Sequence, residues 1–234
     1  MTIETTTPDK NEIAFKWFNH YAGIVVKTPT KTLVVDPVDI NGKEFKTLDA
    51  ILITHEHYDH LDNPLVRKIH ELTGCQILAD PTSVKKLANS IPPEKLQEMT
   101  PGSETKVGDI AIRAEMCNHP PAATPITFLI TSEDGVTVFH TADSLPFPEM
   151  QTIGEERKPD LVFCTIGIAP GTSPRTGVEI VKLVKPKVAV PYHTASKDEL
   201  TMFCDMLSKD LPRVKCLVPE QGNTYIVGKE HKKT

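Results

Sequence analysis

Nothing in this chain suggests a membrane span, a disulfide framework or a grip on a phosphate backbone. No apolar run approaches the roughly 20 residues a helix needs to cross a bilayer. Cysteine is sparse: Cys75, Cys117, Cys164, Cys204 and Cys216 are odd in number and form no Cys-x-x-Cys pair. They are expected to be reduced thiols, mostly small core residues. A surplus of positive charge is missing too. The formal net charge is -5 with acidic and basic residues interspersed, so no nucleic-acid partner is expected. Met1 to Lys10 is Thr-rich and polar without an apolar centre, unlike a signal peptide, so a cytoplasmic location and no membrane partner are expected. The 234 residues, 39% hydrophobic and 24% charged, suffice for a sizeable core.

What the chain does have is imidazole, concentrated in Thr54-His55-Glu56-His57-Tyr58-Asp59-His60. Three imidazoles and two carboxylates directly follow the apolar run Ala50–Ile53. Imidazole and carboxylate are ligands of divalent transition metals, and packing alone does not explain so many on one loop, because unpaired polar groups are costly to bury. A short apolar run ending this way reads as a buried strand that delivers ligands at its carboxyl end, where open α/β sheets tend to carry their sites.

Strands are predicted at Ile13–Phe18, Gly23–Lys27, Thr32–Asp36, Ala50–Ile53, Gln76–Ala79, Thr127–Thr131, Val136–His140, Leu161–Thr165, Lys187–Val190, Val214–Val218 and Thr224–Val227. Two more flank the turn Gly108-Asp109 within Thr105–Ala114. Helices are predicted from Asn63, as N-cap, to about Leu72 with Gly74 as the stop, and over Pro81–Ser90, Pro174–Val184 and Lys197–Leu207. Both halves run hairpin first, then strand–helix–strand, with no linker between them. One domain over residues 13–228 is expected, an α/β sandwich of two facing sheets with helices outside. A polar segment, 1–12, precedes it, and a solvated basic tail, 229–234, follows.

Three single residues repeat the opening theme of an apolar strand followed by a ligand type: His119, Asp143 and His193. Alone, each has a plain explanation as a loop histidine, a helix cap or a strand-end residue. Behind His-x-His-x-Asp-His they supply what a two-metal centre needs. In this combination and order the chain resembles the metallo-β-lactamase superfamily from about Ile13 to Val227, and within it the metal-dependent hydrolases related to ascorbate-6-phosphate lactonase. Trp17-Phe18-Asn19-His20, Val35-Asp36-Pro37 and Pro191-Tyr192-His193 are similar to that branch. The resemblance implies a four-layer αββα fold and two divalent ions, zinc first, with manganese or iron as alternatives. His55, His57 and His119 would hold one ion, Asp59, His60 and His193 the other, and Asp143 would bridge them. Ala142 departs from the family, which usually has glycine before the bridging Asp, a mild change if the backbone there needs no positive φ.

The activity so implied is hydrolysis of an ester, lactone or phosphoester bond in a small, anionic substrate, with Asp59 also orienting the nucleophile. Asp36 and His140, each at a strand end, are candidates to orient ligand imidazoles. His20 and Arg175 are candidate substrate contacts, the latter because Gly167–Arg175 leads into a helix N-terminus that attracts anions. An RNA-processing phosphodiesterase ranks lower without a basic stripe. A non-hydrolytic metal-binding or redox protein ranks lower still, because His57 stands where the di-iron reductases carry Glu. A homo-oligomer is compatible with the sequence but not demanded by it.

Overall fold

The computed structural model describes residues 2–228; Met1 and residues 229–234, expected to be a basic tail, lie outside them. One seven-stranded sheet contains β1 (Glu12–Trp17), β2 (Ile24–Lys27), β3 (Thr32–Val35), β4 (Ala50–Ile53), β5 (Gln76–Ala79) and β6 (Leu96–Glu98), closed on the outer side of β1 by β14 (Thr224–Gly228). The second runs β7 (Glu104–Val107), β8 (Ile110–Met116), β9 (Ile126–Thr131), β10 (Thr137–His140), β11 (Leu161–Thr165), β12 (Val188–Tyr192) and β13 (Lys215–Cys216). The neighbours β3 to β6 pair parallel, as do β10 to β13, and the remaining pairs are antiparallel.

Side-chain alternation explains the layering. Ile24, Val26, Leu33, Val35, Ala50 and Leu52 join Phe128, Ile130 and Val138 of the other sheet in one core. Their strand neighbours Val25, Val34, Ile51 and Ile53 point the other way and pack with Val66 and Ile69 of α1 (Asn63–Thr73). The parallel strands are thus apolar on both faces. On the far side, α4 (Pro174–Val184) buries Val178, Val181 and Val184 and α5 (Lys197–Asp210) buries Leu200, Phe203 and Leu207, both against the second sheet. Each such large side chain contributes about 2 kcal/mol relative to exposure. The helix–sheet–sheet–helix sandwich matches the expected architecture.

Several local features differ from expectation. The cap of α1 is Asp62, whose Oδ1 accepts from Leu65 N–H at 3.0 Å, rather than Asn63. Helix α2 (Pro81–Leu87) stops three residues short of Ser90. Helix α3 (Met150–Arg157) and the edge strand β6 were not anticipated. The largest correction concerns cysteine: Cys204 of α5 and Cys216 of β13 are joined as a disulfide, leaving Cys75, Cys117 and Cys164 free. Their Cα atoms stand 5.5 Å apart, within the ordinary range for a bridge, because the turn after α5 returns the chain beside that helix. Among the described residues, no helix is long and apolar enough to cross a membrane.

Candidate metal centre

Strand ends assemble the site. The loop His55–His60 follows β4, His119 follows β8, Asp143 follows β10 and His193 follows β12. The amide of Ile126 donates to the Thr54 carbonyl at 3.0 Å, which ties the two sheets together at this edge. The seven side chains converge as two groups: His55, His57, His119 and Asp143, then Asp59, His60, Asp143 and His193. Within each group the candidate ligand atoms all lie within 4.8 Å of one another, and Asp143 belongs to both.

The first group is compact. His57 Nδ1 stands 3.1 Å from His55 Nε2 and 3.3 Å from His119 Nε2, and Asp143 Oδ2 is 3.7 Å from both of those Nε2 atoms. Two nitrogens bound to one tetrahedral zinc at its usual distances stand about 3.3 Å apart. In the second group His60 Nε2 is 3.0 Å from Asp143 Oδ1 and 3.8 Å from Asp59 Oδ2, while His193 Nε2 is 3.6 Å from Asp59 Oδ2. Despite this closeness, His60 Nε2, His193 Nε2 and Asp143 Oδ1 are buried without a hydrogen-bond partner. Leaving such atoms unpaired costs about 1–3 kcal/mol each, more where charged. Buried nitrogen and carboxylate donors that converge in this way fit divalent cations.

Outer partners fix which ring nitrogen faces inward. Asp36 Oδ1 accepts from Thr54 N–H at 2.8 Å, and its Oδ2 accepts from the Thr54 hydroxyl and from His60 Nδ1, each at 2.7 Å. The Thr54 oxygen lies 3.1 Å from His55 Nδ1, and Thr165 Oγ1 lies 3.1 Å from His193 Nδ1. With these protons assigned from the network, Nε2 of His55 and His60 is left for the centre, while His193 Nδ1 stands between Thr165 Oγ1 and Asp143 Oδ1, 2.9 Å from the latter. The two threonines were missed in the sequence, although Thr54 sits at the junction of strand and cluster. His140 was expected to orient an imidazole and does not: its ring contacts Ala22 O, Ala142 N–H and the Tyr192 hydroxyl.

Electrostatics separate the ligands by environment. Burial depresses His55 and His119 below the usual imidazole range, outweighing the attraction of Asp143. Burial would lower His60 and His193 as well, but Asp143, joined at His60 by Asp36, overcomes it and raises both, His60 strongly. Burial would raise Asp143 and Asp59, yet the imidazoles of His60 and His193 hold both carboxyls below their ordinary value, Asp143 far below.

The backbone is left-handed at three points around the site, with φ of 47° at Asp36, 49° at Ala142 and 61° at His193. Asp and His visit this region more readily than most residues, whereas Ala pays about 1–2 kcal/mol. The change from glycine to Ala142 is therefore not mild, since this position does need a positive φ.

An open cavity of about 770 Å³ lies beside His57, lined in part by Tyr21, Asp39, Glu56, Tyr58 and Lys86. Tyr21 meets His193 and Tyr58 edge-on, with ring centroids 6.1 and 6.4 Å away, and so overhangs the centre. His20 does not line this cavity; it is exposed and lines a separate one with Trp17 and Thr194. Arg175 is exposed on the first turn of α4 and also lies outside it. The helix end expected to attract an anion is capped by its own chain: Ser173 Oγ accepts from Thr176 N–H, and Thr176 Oγ1 accepts from Ser173 N–H.

A beta-lactamase superfamily domain model matches residues 19–194, three-quarters of the chain, and spans every one of these ligand positions. The chain belongs to the beta-lactamase superfamily. A UPF0173 protein of Pyrococcus furiosus is 31% identical over 184 residues, covering 78% of this chain and 84% of the relative. A UPF0173 metal-dependent hydrolase of Myxococcus xanthus is 25% identical, covering 93% and 84%. Among solved structures, Igni18, a metallo hydrolase from the hyperthermophilic archaeon Ignicoccus hospitalis, superposes with a TM-score of 0.79 at 23% identity, covering 94% of this chain and all of that one. Its sandwich is the same fold. The family model and the UPF0173 relatives make the present chain a metal-dependent hydrolase of the superfamily.

Proposed function

We propose that the chain binds two divalent cations and hydrolyses an ester, lactone or phosphoester bond of a small molecule. His55, His57 and His119 hold one ion, Asp59, His60 and His193 the other, and Asp143 serves both. Zinc suits this donor set first, and manganese or iron are also accepted by it. The observation that carries the reading is the membership of Asp143 in both four-residue groups, one carboxylate oxygen turned toward each. Bound there, such ions lower the pKa of water from 15.7 toward about 7 and polarise the bond to be broken.

The protein's own part is positioning and proton handling. Asp59, held ionised below the usual carboxylate range, would ligate through Oδ2, the oxygen nearest His60 and His193. Its other oxygen would accept a hydrogen bond from the attacking water and aim it at the substrate. His55, His60 and His193 are fully buried, so a substrate approaches by way of the cavity beside His57, under the rings of Tyr21 and Tyr58. For an anionic substrate that cavity offers Lys86, whose amine donates to the Glu56 carbonyl at 2.9 Å and keeps its other hydrogens free.

The test is a side-by-side screen of lactones, carboxyl esters, thioesters and phosphodiesters with metal-loaded and metal-stripped protein. Metal-dependent turnover of a small ester, lactone or phosphoester supports the reading. Turnover confined to structured RNA at physiological salt replaces it with an RNA-processing role, and turnover that survives stripping contradicts it.

A further inference from the structure

Behind the centre lies a buried polar group that the hydrolytic reading does not use. Tyr192 and His140 are both fully buried, as is Ala142 between them. The Tyr192 hydroxyl donates to the Ala142 carbonyl at 3.1 Å, and the Ala142 amide donates to His140 Nδ1 at 3.3 Å. With Nδ1 accepting, the ring carries its proton on Nε2 and donates it to the Ala22 carbonyl at 2.9 Å, across the sandwich. Both backbone polar groups of Ala142 are thus held by side chains, at the residue whose φ of 49° an alanine resists. The next residue is Asp143.

We propose that Tyr192 and His140 are positioning residues for Asp143, clamping Ala142 in the left-handed conformation that aims this carboxylate between the two histidine groups. The proposal rests on the reading of Asp143 as the shared ligand. A glycine at position 142 would adopt this conformation at no steric cost and would need no clamp. Alanine makes the turn depend on two side-chain hydrogen bonds, one from each of two strands of the second sheet, because His140 ends β10 and Tyr192 ends β12. A third bond, to Ala22, carries the same ring to the loop that presents Tyr21, so the carboxylate and the aromatic rim above it share one anchor.

The experiment is a Co2+ titration of chelator-stripped protein, read by visible absorption and calorimetry, on the native chain, Tyr192→Phe, Ala142→Gly, the double variant and Asp143→Ala. Tyr192→Phe is expected to weaken Co2+ binding about tenfold, and the double variant to recover to within about threefold of native, because glycine removes the need for the clamp. Unchanged binding in Tyr192→Phe overturns the proposal. So does a double variant as weak as Tyr192→Phe alone, since a merely structural loss of the hydroxyl would not be rescued at position 142. If Tyr192→Phe does not give the native circular dichroism, His140→Leu takes its place with the same expectations. In either case Ala142→Gly alone must raise the melting temperature of the stripped protein, and a fall refutes the strain on which the clamp depends. Asp143→Ala separates the two levels. If it keeps native Co2+ stoichiometry, the shared-ligand reading fails; if it loses Co2+ while Tyr192→Phe binds normally, only the clamp fails.

Discussion

Asp36 Oδ2 accepts a hydrogen bond from His60 Nδ1 at 2.7 Å, with both side chains wholly buried. The carboxylate follows β3 and the imidazole belongs to the loop after β4, so this bond links two adjacent strand ends. It also leaves His60 Nε2 pointing at Asp143. Replacing Asp36 by Asn keeps the volume and removes the charge. Metal affinity at the second group is expected to fall about 10- to 100-fold, measured by titration of stripped protein, with the fold intact by circular dichroism. Native affinity in Asp36→Asn would contradict this role.

Acidity should control metal uptake. In the metal-free protein His60 and His193 hold protons more tightly than free imidazole, and an incoming cation must expel them. Affinity therefore rises with pH, and uptake releases protons, measurable as a dependence of binding heat on buffer ionisation enthalpy. The same groups shape the stability of the stripped protein. The raised histidines contribute stability fully present below their unfolded value of 6.5 and lost as pH rises through their folded values. The depressed Asp143 and Asp59 contribute stability present above 3.8 and lost as pH falls through their folded values. His55 and His119, held below 6.5 by burial, cost stability as pH falls beneath that value. A melting-temperature maximum near about pH 6.5 is therefore expected without metal, flattening when metal is bound.

The disulfide between Cys204 and Cys216 spans 12 positions and ties α5 to the edge of the second sheet. A loop of that size gives about 3 kcal/mol by restricting the unfolded chain. Thermal melts with and without dithiothreitol, and of Cys204→Ser, should show a loss of this order. Cys204→Ser should itself be indifferent to the reductant, whereas Cys75→Ser, which keeps the bridge, should respond to it as the native chain does.

Tyr58 is 78% exposed and meets Tyr21 edge-on at the mouth of the cavity beside His57. Removing its ring by Tyr58→Ala should raise KM about two- to tenfold for a substrate that packs there, with kcat little changed. A fall in kcat at constant KM would instead give this residue a part in the chemical step.

The chain's apolar punctuation made much of the fold legible. β4, β5, β11 and α4 have the bounds expected from short apolar runs and a Pro174 start. Helix α3 was hidden because it has no side-chain cap, carries Gly154 in its middle and buries only Met150 and Ile153. β6 was hidden because it is a three-residue edge strand with a single apolar side chain. The cysteine pairing was invisible because it depends on where the chain returns after α5, not on spacing. At the site, imidazole density announced the ligand loop, while Thr54 and Thr165 carry no such signature. Ala142 shows the limit most clearly: sequence marked it as a departure, but only the backbone revealed a positive φ. His20 and Arg175 lie near a strand end and a helix start in sequence, which does not fix where the fold puts them: neither lines the cavity beside His57.

The central claim is that one carboxylate, Asp143, joins two cation sites in a single hydrolytic centre. Elemental analysis of protein purified without chelators, set beside Asp143→Ala, tests it most directly. The account predicts about two divalent ions per native chain, and in a folded Asp143→Ala at most one, with hydrolysis nearly abolished. Two ions and native turnover in Asp143→Ala would contradict it.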